Sequence, residues 1–288
     1  HPDLLKGEFV LNEVGGFTLT LDNGERLYPI QIAEKGVVWI KMTTRGQAGH
    51  GSMPHDDNAV VKLCEAVQKL HTTPLPTHIT PVAGNFVRTI GNILGLPAKA
   101  IMELLLLSPL TDIILNNVLP DKEKAKVFKA MLHNTACPTG LEAGIKANVI
   151  PTKASVTLDC RILPGQSKES LLWELRKVVG YEVSFEIIVD NPPTTTTSNT
   201  ALYHTIKEVL KRRDPGCHVS SYMVTGFTDA AAFARLGLKT YGFTPLRLDS
   251  SLVFSELFHG VDERVPVDGF LWGLETFFET VKTFCTGD

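Results

Sequence analysis

Only five of the 288 residues are cysteine, Cys64, Cys137, Cys160, Cys217 and Cys285, and no two of them form a C-x-x-C pair. That spacing excludes a thiolate zinc knuckle or a redox couple, and the odd number argues against a complete disulfide framework, leaving buried free thiols as the simplest reading. A large excess of either charge is missing too. The formal net charge is −3, which gives no electrostatic reason to expect nucleic acid or an anionic membrane as a partner. An apolar run long enough to span a bilayer, about 20 residues, is absent. The most apolar region, Lys99–Leu119, is broken by Glu103, Ser108, Pro109, Asp112, Asn116 and Asn117, and reads as a buried or interfacial helix pair. No H-E-x-x-H, G-x-S-x-G, Walker loop or G-x-G-x-x-G occurs, and Pro54 stands where a nucleophile elbow around Ser52 would need glycine, so serine hydrolysis has little support.

With 43% hydrophobic and 20% charged residues, what remains has the composition of a globular protein large enough for a sizeable core. The chain opens at His1, and HPDLLKGEFVLNEVGG has the texture of a domain interior with no signal pattern, so an upstream segment is expected. Short strands are predicted at Phe9–Leu11 and Phe17–Leu21, and a clear one at Val37–Thr43. The loop Gly46–Pro54 leads into a helix over Ala59–Leu70, with Asp57 or Asn58 as its cap. Residues 72–135 carry proline-bounded helical patterns: Pro81–Leu94, Pro97–Leu107, Leu110–Leu119 and Asp121–Asn134. Strand alternation returns at Leu141–Ile150 and Ala154–Leu163, a predicted hairpin around Pro151-Thr152, followed by helix Ser167–Val179 and strand Glu182–Val189. The resulting strand-helix-strand-strand-helix-strand order is that of a ferredoxin-like sandwich with a helical insertion. A linker-like stretch, 191–198, then leads to a second alternating α/β unit that closes with a helix over Gly269–Phe284.

Several side chains have the chemistry for a site. Glu13 projects from a turn at a strand end, where open α/β sheets place their sites. His50, between two glycines, sits in too open a setting for a packed core histidine and reads as a ligand or substrate contact. His259 precedes the last helix in a polar loop and reads either as a metal ligand or as a surface or capping histidine. Asn148 and Arg161, on the two predicted hairpin strands, form either a carboxylate receptor or solvated strand positions. In Gly226-Phe-Thr-Asp229, Thr228 or Asp229 caps the following helix or meets a substrate.

Taken in order, Asn12-Glu13 with Gly15-Gly16, Glu34-Lys-Gly36, Gly46–Pro54, Asn148-Val-Ile-Pro151, Arg161–Gln166, Gly226–Asp229, Tyr241-Gly-Phe-x-Pro245 and His259-Gly-x-x-Glu-Arg264 resemble M20 metallopeptidases. Within that family the chain resembles the branch of carboxypeptidase S and the N-fatty-acyl-amino-acid hydrolases. The resemblance implies a zinc-exopeptidase-type catalytic domain split by an inserted lid. Residues 1–35 and 191–288 would be pieces of the catalytic domain, and 36–190 would be a dimerisation lid carrying the 72–135 insertion. It further implies two zinc ions bridged by a hydrolytic water, with Glu13 on the first ion and His259 on the second. His50 would be an oxyanion donor to substrate in the partner subunit. Asn148 and Arg161 would grip a substrate carboxylate, with Gly226 and Thr228 beside it. The implied reaction is hydrolysis of an amide in an N-acyl amino acid or peptide, by a homodimer.

The family's remaining metal ligands and its general base belong upstream of Glu13, so this chain alone is expected to be inactive. Asn12-Glu13-Val14 also departs from the family's Asp-Glu-Gly-Gly, which leaves open whether position 12 or 13 is the ligand. A non-catalytic dimerisation module descended from such an enzyme is the rival expectation.

Overall fold

The computed structural model describes residues 1–250, 252 and 261–287. They divide into two compact units, one of His1–Glu34, Ile79–Ala125 and Thr194–Asp288, the other of Lys35–His78 and Lys126–Pro193.

The first unit is built on a six-stranded mixed sheet. Its centre is β3 (Arg26–Glu34), which pairs in parallel with β11 (His218–Val224) and antiparallel with β2 (Leu19–Thr20), β10 (Thr194–Thr195) and β12 (Lys239–Gly242). Strand β1 (Phe9–Asn12) runs parallel to β12. Every residue of β3 after Arg26 is buried. A strand covered on both faces loses the apolar-polar alternation that betrays a half-buried one, and Pro29 argues against a central strand by the usual rule. Both features hide β3 in the sequence.

Helix α2 (Pro81–Leu94) packs on β11, where Phe86 meets the Tyr222 ring at 5.1 Å and Asn85 donates to the Ser221 hydroxyl at 3.1 Å. Helices α3 (Ala98–Leu105) and α4 (Ser108–Ile113), the latter running into a π-turn at Ile114–Val118, follow it. The helical residues 79–125, which the sequence reading attached to the lid, therefore lie in the first unit, tied to the face of its sheet. Helices α7 (Ala201–Arg213) and α8 (Ala230–Arg235) and the last helix, α9 (Val267–Thr286), complete this unit. Trp272 of α9 stacks on Tyr28 at 5.7 Å.

The second unit has the predicted β-α-β-β-α-β order. Its strands β4 (Gly36–Arg45), β6 (Thr135–Ala143), β8 (Lys153–Ile162) and β9 (Ser184–Asn191) form an antiparallel sheet in the order β6-β8-β4-β9. Helices α1 (Ala59–Thr72) and α6 (Lys168–Val179) pack on one face. Alternate residues Val38, Ile40 and Met42 of β4 and Val156, Leu158 and Cys160 of β8 meet Leu63, Leu171 and Leu175 there, all fully or almost fully buried, while Trp39 points away. Helix α5 (Lys122–Leu132) leads into β6.

One predicted pairing is corrected. The strand opposite β8 is Thr135–Ala143, not Leu141–Ile150, and the connection between them contains β7 (Val149–Ile150), which pairs with β5 (Gly49–His50). Among the described residues no helix is long and apolar enough to cross a membrane.

Candidate functional site

In the first unit the chemistry gathers around the turn that follows β1. Val14 has φ 63°, a left-handed conformation costly for a β-branched residue, and Gly15 and Gly16 follow at 110° and 76°. The turn is tightly seated. A Cβ on Gly242 would lie 1.9 Å from the Val14 carbonyl oxygen, and one on Gly15 would lie 2.4 Å from that of Gly242. Glu13 is exposed at its tip.

Beneath the turn, β3 carries a bulge. Tyr222 pairs with Gln31 and Met223 with Ala33, so Ile32 is the extra residue. An extra residue reverses the alternation beyond it, and Gln31 and Glu34 therefore share a face. Of the two orientations of the Gln31 amide, one points its nitrogen at the carbonyls of Glu13 and Val14, 3.2 and 3.1 Å away. The other makes a single long contact of 3.4 Å with Glu34.

Glu34 is 1% exposed, and its Oε2 accepts from both the N–H and the hydroxyl of Thr228, each at 2.8 Å. Burial pushes this carboxyl up from its ordinary value, with the donors of Thr228, and more weakly Thr194 and the Ala231 backbone, pulling the other way. The Thr228 hydroxyl also accepts from Asn12 Nδ2 at 3.0 Å and from the Ala230 N–H at 3.1 Å, so it caps α8, and the Asp229 side chain does not. Thr228 is thus a buried tie between the Asn12 end of β1 and the 226–229 junction, with its hydroxyl fully engaged. Among the described residues nothing lies within 4 Å of where a Gly226 side chain would begin. His259 lies outside the described residues.

In the second unit, His50 and Asn148 come together. Gly49 pairs with Ile150 and His50 with Val149, and the Gly51 N–H donates to the Asn148 carbonyl at 2.8 Å. Both side chains are exposed. Behind them His55 places Nε2 2.8 Å from where a Gly49 Cβ would sit, so a larger residue there would have to displace the imidazole.

Arg161 does not join this pair within one chain. From Lys153 to Arg161 the rise along β8 is about 26 Å, and the Asn148 loop adjoins the Lys153 end, where the Gly46 N–H bonds the Thr152 carbonyl. The predicted placement of an amide beside a guanidinium on paired strands is therefore not what forms. Arg161 instead grips Asp159 through Nε at 2.6 Å and a terminal nitrogen at 3.0 Å.

Two parts of this arrangement escape a reading of spacing alone, the Glu34–Thr228 tie and the contact of Ser52 with His50. Both lie inside quoted motifs, Glu34-Lys-Gly36 and Gly46–Pro54, and those motifs were the available signal.

Residues 32–184, more than half of the chain, match the peptidase dimerisation domain of the M20 family. The chain belongs to this family. It is 27% identical over 95% of its length to the Dictyostelium discoideum protein named probable carboxypeptidase S-like 2, of which it covers 54%. It is likewise 27% identical over 95% of its length to the human N-fatty-acyl-amino acid synthase/hydrolase PM20D1, of which it covers 55%. The chain thus spans about half the length of these curated relatives. Among solved structures, an M20 family metallo-carboxypeptidase from Sulfolobus solfataricus superposes with a TM-score of 0.65 at 16% identity, covering 98% of this chain and 65% of that one. At that identity the likeness speaks to the fold.

A metal centre, which the M20 family implies, asks for at least three convergent donors. Among the described residues no three His, Cys, Asp or Glu side chains converge to hold an ion. Glu13 supplies one exposed carboxylate, and the described residues do not by themselves fit a bound metal.

Proposed function

We propose that this chain is part of a metal-dependent amide hydrolase that acts on an N-acyl amino acid or a peptide with a free carboxylate. The observation that carries the reading is the β5–β7 pairing, which sets an exposed histidine beside an exposed asparagine within a peptidase dimerisation domain. A ring N–H of His50 would donate to the oxygen of the amide under attack, and developing negative charge there strengthens that bond in the transition state. The Asn148 amide would hold the substrate, and the guanidinium of Arg161, already turned to a carboxylate, would receive the substrate's own. Because Arg161 stands far along the sheet from His50 and Asn148, the two sets would serve one substrate from different subunits of a homodimer formed through the second unit.

Glu13, and His259 from beyond the described residues, would contribute two ligands to a pair of zinc ions, whose chemistry is to activate water. Two ligands cannot hold two ions with an open water position, so further donors belong to the complete protein, and this chain alone would be inactive. The Gln31 amide at the Glu13 and Val14 carbonyls, and the Thr228 hydroxyl on the neighbouring Asn12, would hold the Glu13 backbone in place.

The test compares the 288-residue chain with a full-length form by zinc titration and by hydrolysis of a panel of N-acyl amino acids. The full-length form should turn over a substrate that requires a free carboxylate, and His50→Gln should lower its kcat about 100-fold or more. Two zinc ions and turnover on the isolated chain would refute the division of ligands. A full-length protein without hydrolytic activity would favour the dimerisation module.

A further inference from the structure

Residues His50–Met53 form a β-turn, closed by the Met53 N–H donating to the His50 carbonyl at 2.9 Å. Within it the side chain of His50 folds back over the turn. Its Nδ1 lies 3.2 Å from the Ser52 backbone nitrogen, which donates to it, and 2.8 Å from the Ser52 hydroxyl. Asp and Asn side chains at the first position of a turn accept from the N–H two residues on in the same way, and here an imidazole takes that part.

A backbone N–H can only donate. The Nδ1 that receives it is therefore an acceptor without a proton, and a neutral imidazole with a bare Nδ1 carries its hydrogen on Nε2. The Ser52 hydroxyl, free to rotate, adds a second donor to the same lone-pair side. Among the described residues Nε2 has no hydrogen-bond partner, and the His50 side chain is exposed. Pairing of Gly49 with Ile150 and the Gly51–Asn148 hydrogen bond anchor the turn.

We propose that Ser52 is a positioning residue that fixes the tautomer of His50, so that the ring presents Nε2–H outward as a hydrogen-bond donor. This gives His50 a donating role rather than a proton-abstracting one, because the nitrogen that faces outward already carries its hydrogen. That the donor acts on a scissile carbonyl rests on the function proposed above; the tautomer assignment rests on the turn alone.

The test separates the two. In the 288-residue chain labelled with ¹⁵N-histidine, long-range ¹H–¹⁵N correlation at alkaline pH reports which ring nitrogen holds the proton, and His50→Gln identifies the signals. The native ring should be predominantly Nε2–H. Ser52→Ala should lower the Nε2–H to Nδ1–H ratio about threefold to tenfold, the worth of one net hydrogen bond, while Ser52→Thr, which keeps the hydroxyl, should restore it. Unchanged signals from the remaining histidines would show that the fold is intact. A native ring protonated on Nδ1 overturns the tautomer assignment, and a ratio indifferent to Ser52→Ala overturns the positioning role of the Ser52 hydroxyl. In a full-length enzyme the alanine variant should lose kcat by a similar factor at unchanged KM. A tautomer shift without loss of kcat would overturn the catalytic half alone.

Discussion

One carboxylate oxygen of Glu34 receives both the backbone N–H and the hydroxyl of Thr228, each at 2.8 Å, across 194 positions of sequence. The other oxygen is buried and has no hydrogen bond among the described residues. The pair thus joins the end of the central strand to the 226–229 junction and, through the Thr228 hydroxyl, to Asn12 beside Glu13. Removing the threonine hydroxyl, with the backbone N–H left in place, should be costly. Thr228→Val is expected to destabilise the chain by about 1–3 kcal/mol, read as a shift in the urea midpoint.

The pH dependence of this tie has a definite sign. The folded carboxyl titrates above its ordinary value near 4.5, so its contribution to stability is full below that value and is lost as pH rises through the raised one. Glu34→Gln has nothing to titrate there. Its stability relative to the native chain should climb with pH across the acid range and then level off. Parallel stability curves for the two proteins would contradict this.

Next along the chain, Lys35 is 1% exposed, and among the described residues its ammonium bonds two carbonyls and a hydroxyl. It donates to Ala130 O at 3.0 Å and His133 O at 2.8 Å, at the C-terminal end of α5, where a cation suits the helix dipole. Burial, with a smaller contribution from Arg161, brings this amine down to about 7. A base depressed in the folded state stabilises above its unfolded value and loses that stability as pH falls through the folded one. The native chain should therefore gain stability from about pH 7 towards 10, with a slope approaching about 1.4 kcal/mol per pH unit. Lys35→Met should flatten that slope in denaturation curves taken across the range.

The second unit holds another buried carboxylate, Glu174, 2% exposed, which accepts from His78 Nε2 at 2.6 Å and Asn134 Nδ2 at 3.0 Å. Asn134 Oδ1 in turn accepts the Leu163 N–H at 2.9 Å. Asn134→Leu strands both groups at once and should cost about 2–5 kcal/mol. Glu174→Leu combined with it should recover part of the loss, since the double variant leaves no buried carboxylate to satisfy. An additive double variant would show that the pair is not coupled.

How much of this was legible in the sequence depends on how local the cause is. Helix α2 begins at Pro81 and ends at Leu94 as its proline and glycine punctuation indicates, and the β-α-β-β-α-β order follows from hydrophobic periodicity. Strand β3 escaped because burial on both faces erases alternation and Pro29 breaks the pattern. Alternation also cannot say which strands pair, and so Asn148 was set beside Arg161 when its neighbour is His50. The bulge at Ile32 and the contact of Glu34 with Thr228 depend on two strands meeting across the chain, which spacing does not record. Glu13, by contrast, stands out locally, from the strand before it and the glycines after it, and the structure places it beside a strained turn.

That strain makes the last prediction. A non-glycine residue in the left-handed region costs about 1–2 kcal/mol, and the cost at Val14 is met by contacts that hold the turn on both sides, the Gln31 amide and the close approach of Gly242. Strain kept at such a position commonly serves a site. Val14→Gly removes the conformational cost but adds freedom to the unfolded chain, about 0.5–1 kcal/mol, so a net stabilisation of up to about 1 kcal/mol is expected in thermal melts. If the turn aims Glu13, the same variant of a full-length enzyme should bind metal more weakly while melting higher. A variant that melts higher and binds metal as tightly as the native protein would show that the strained valine is no part of how Glu13 is held.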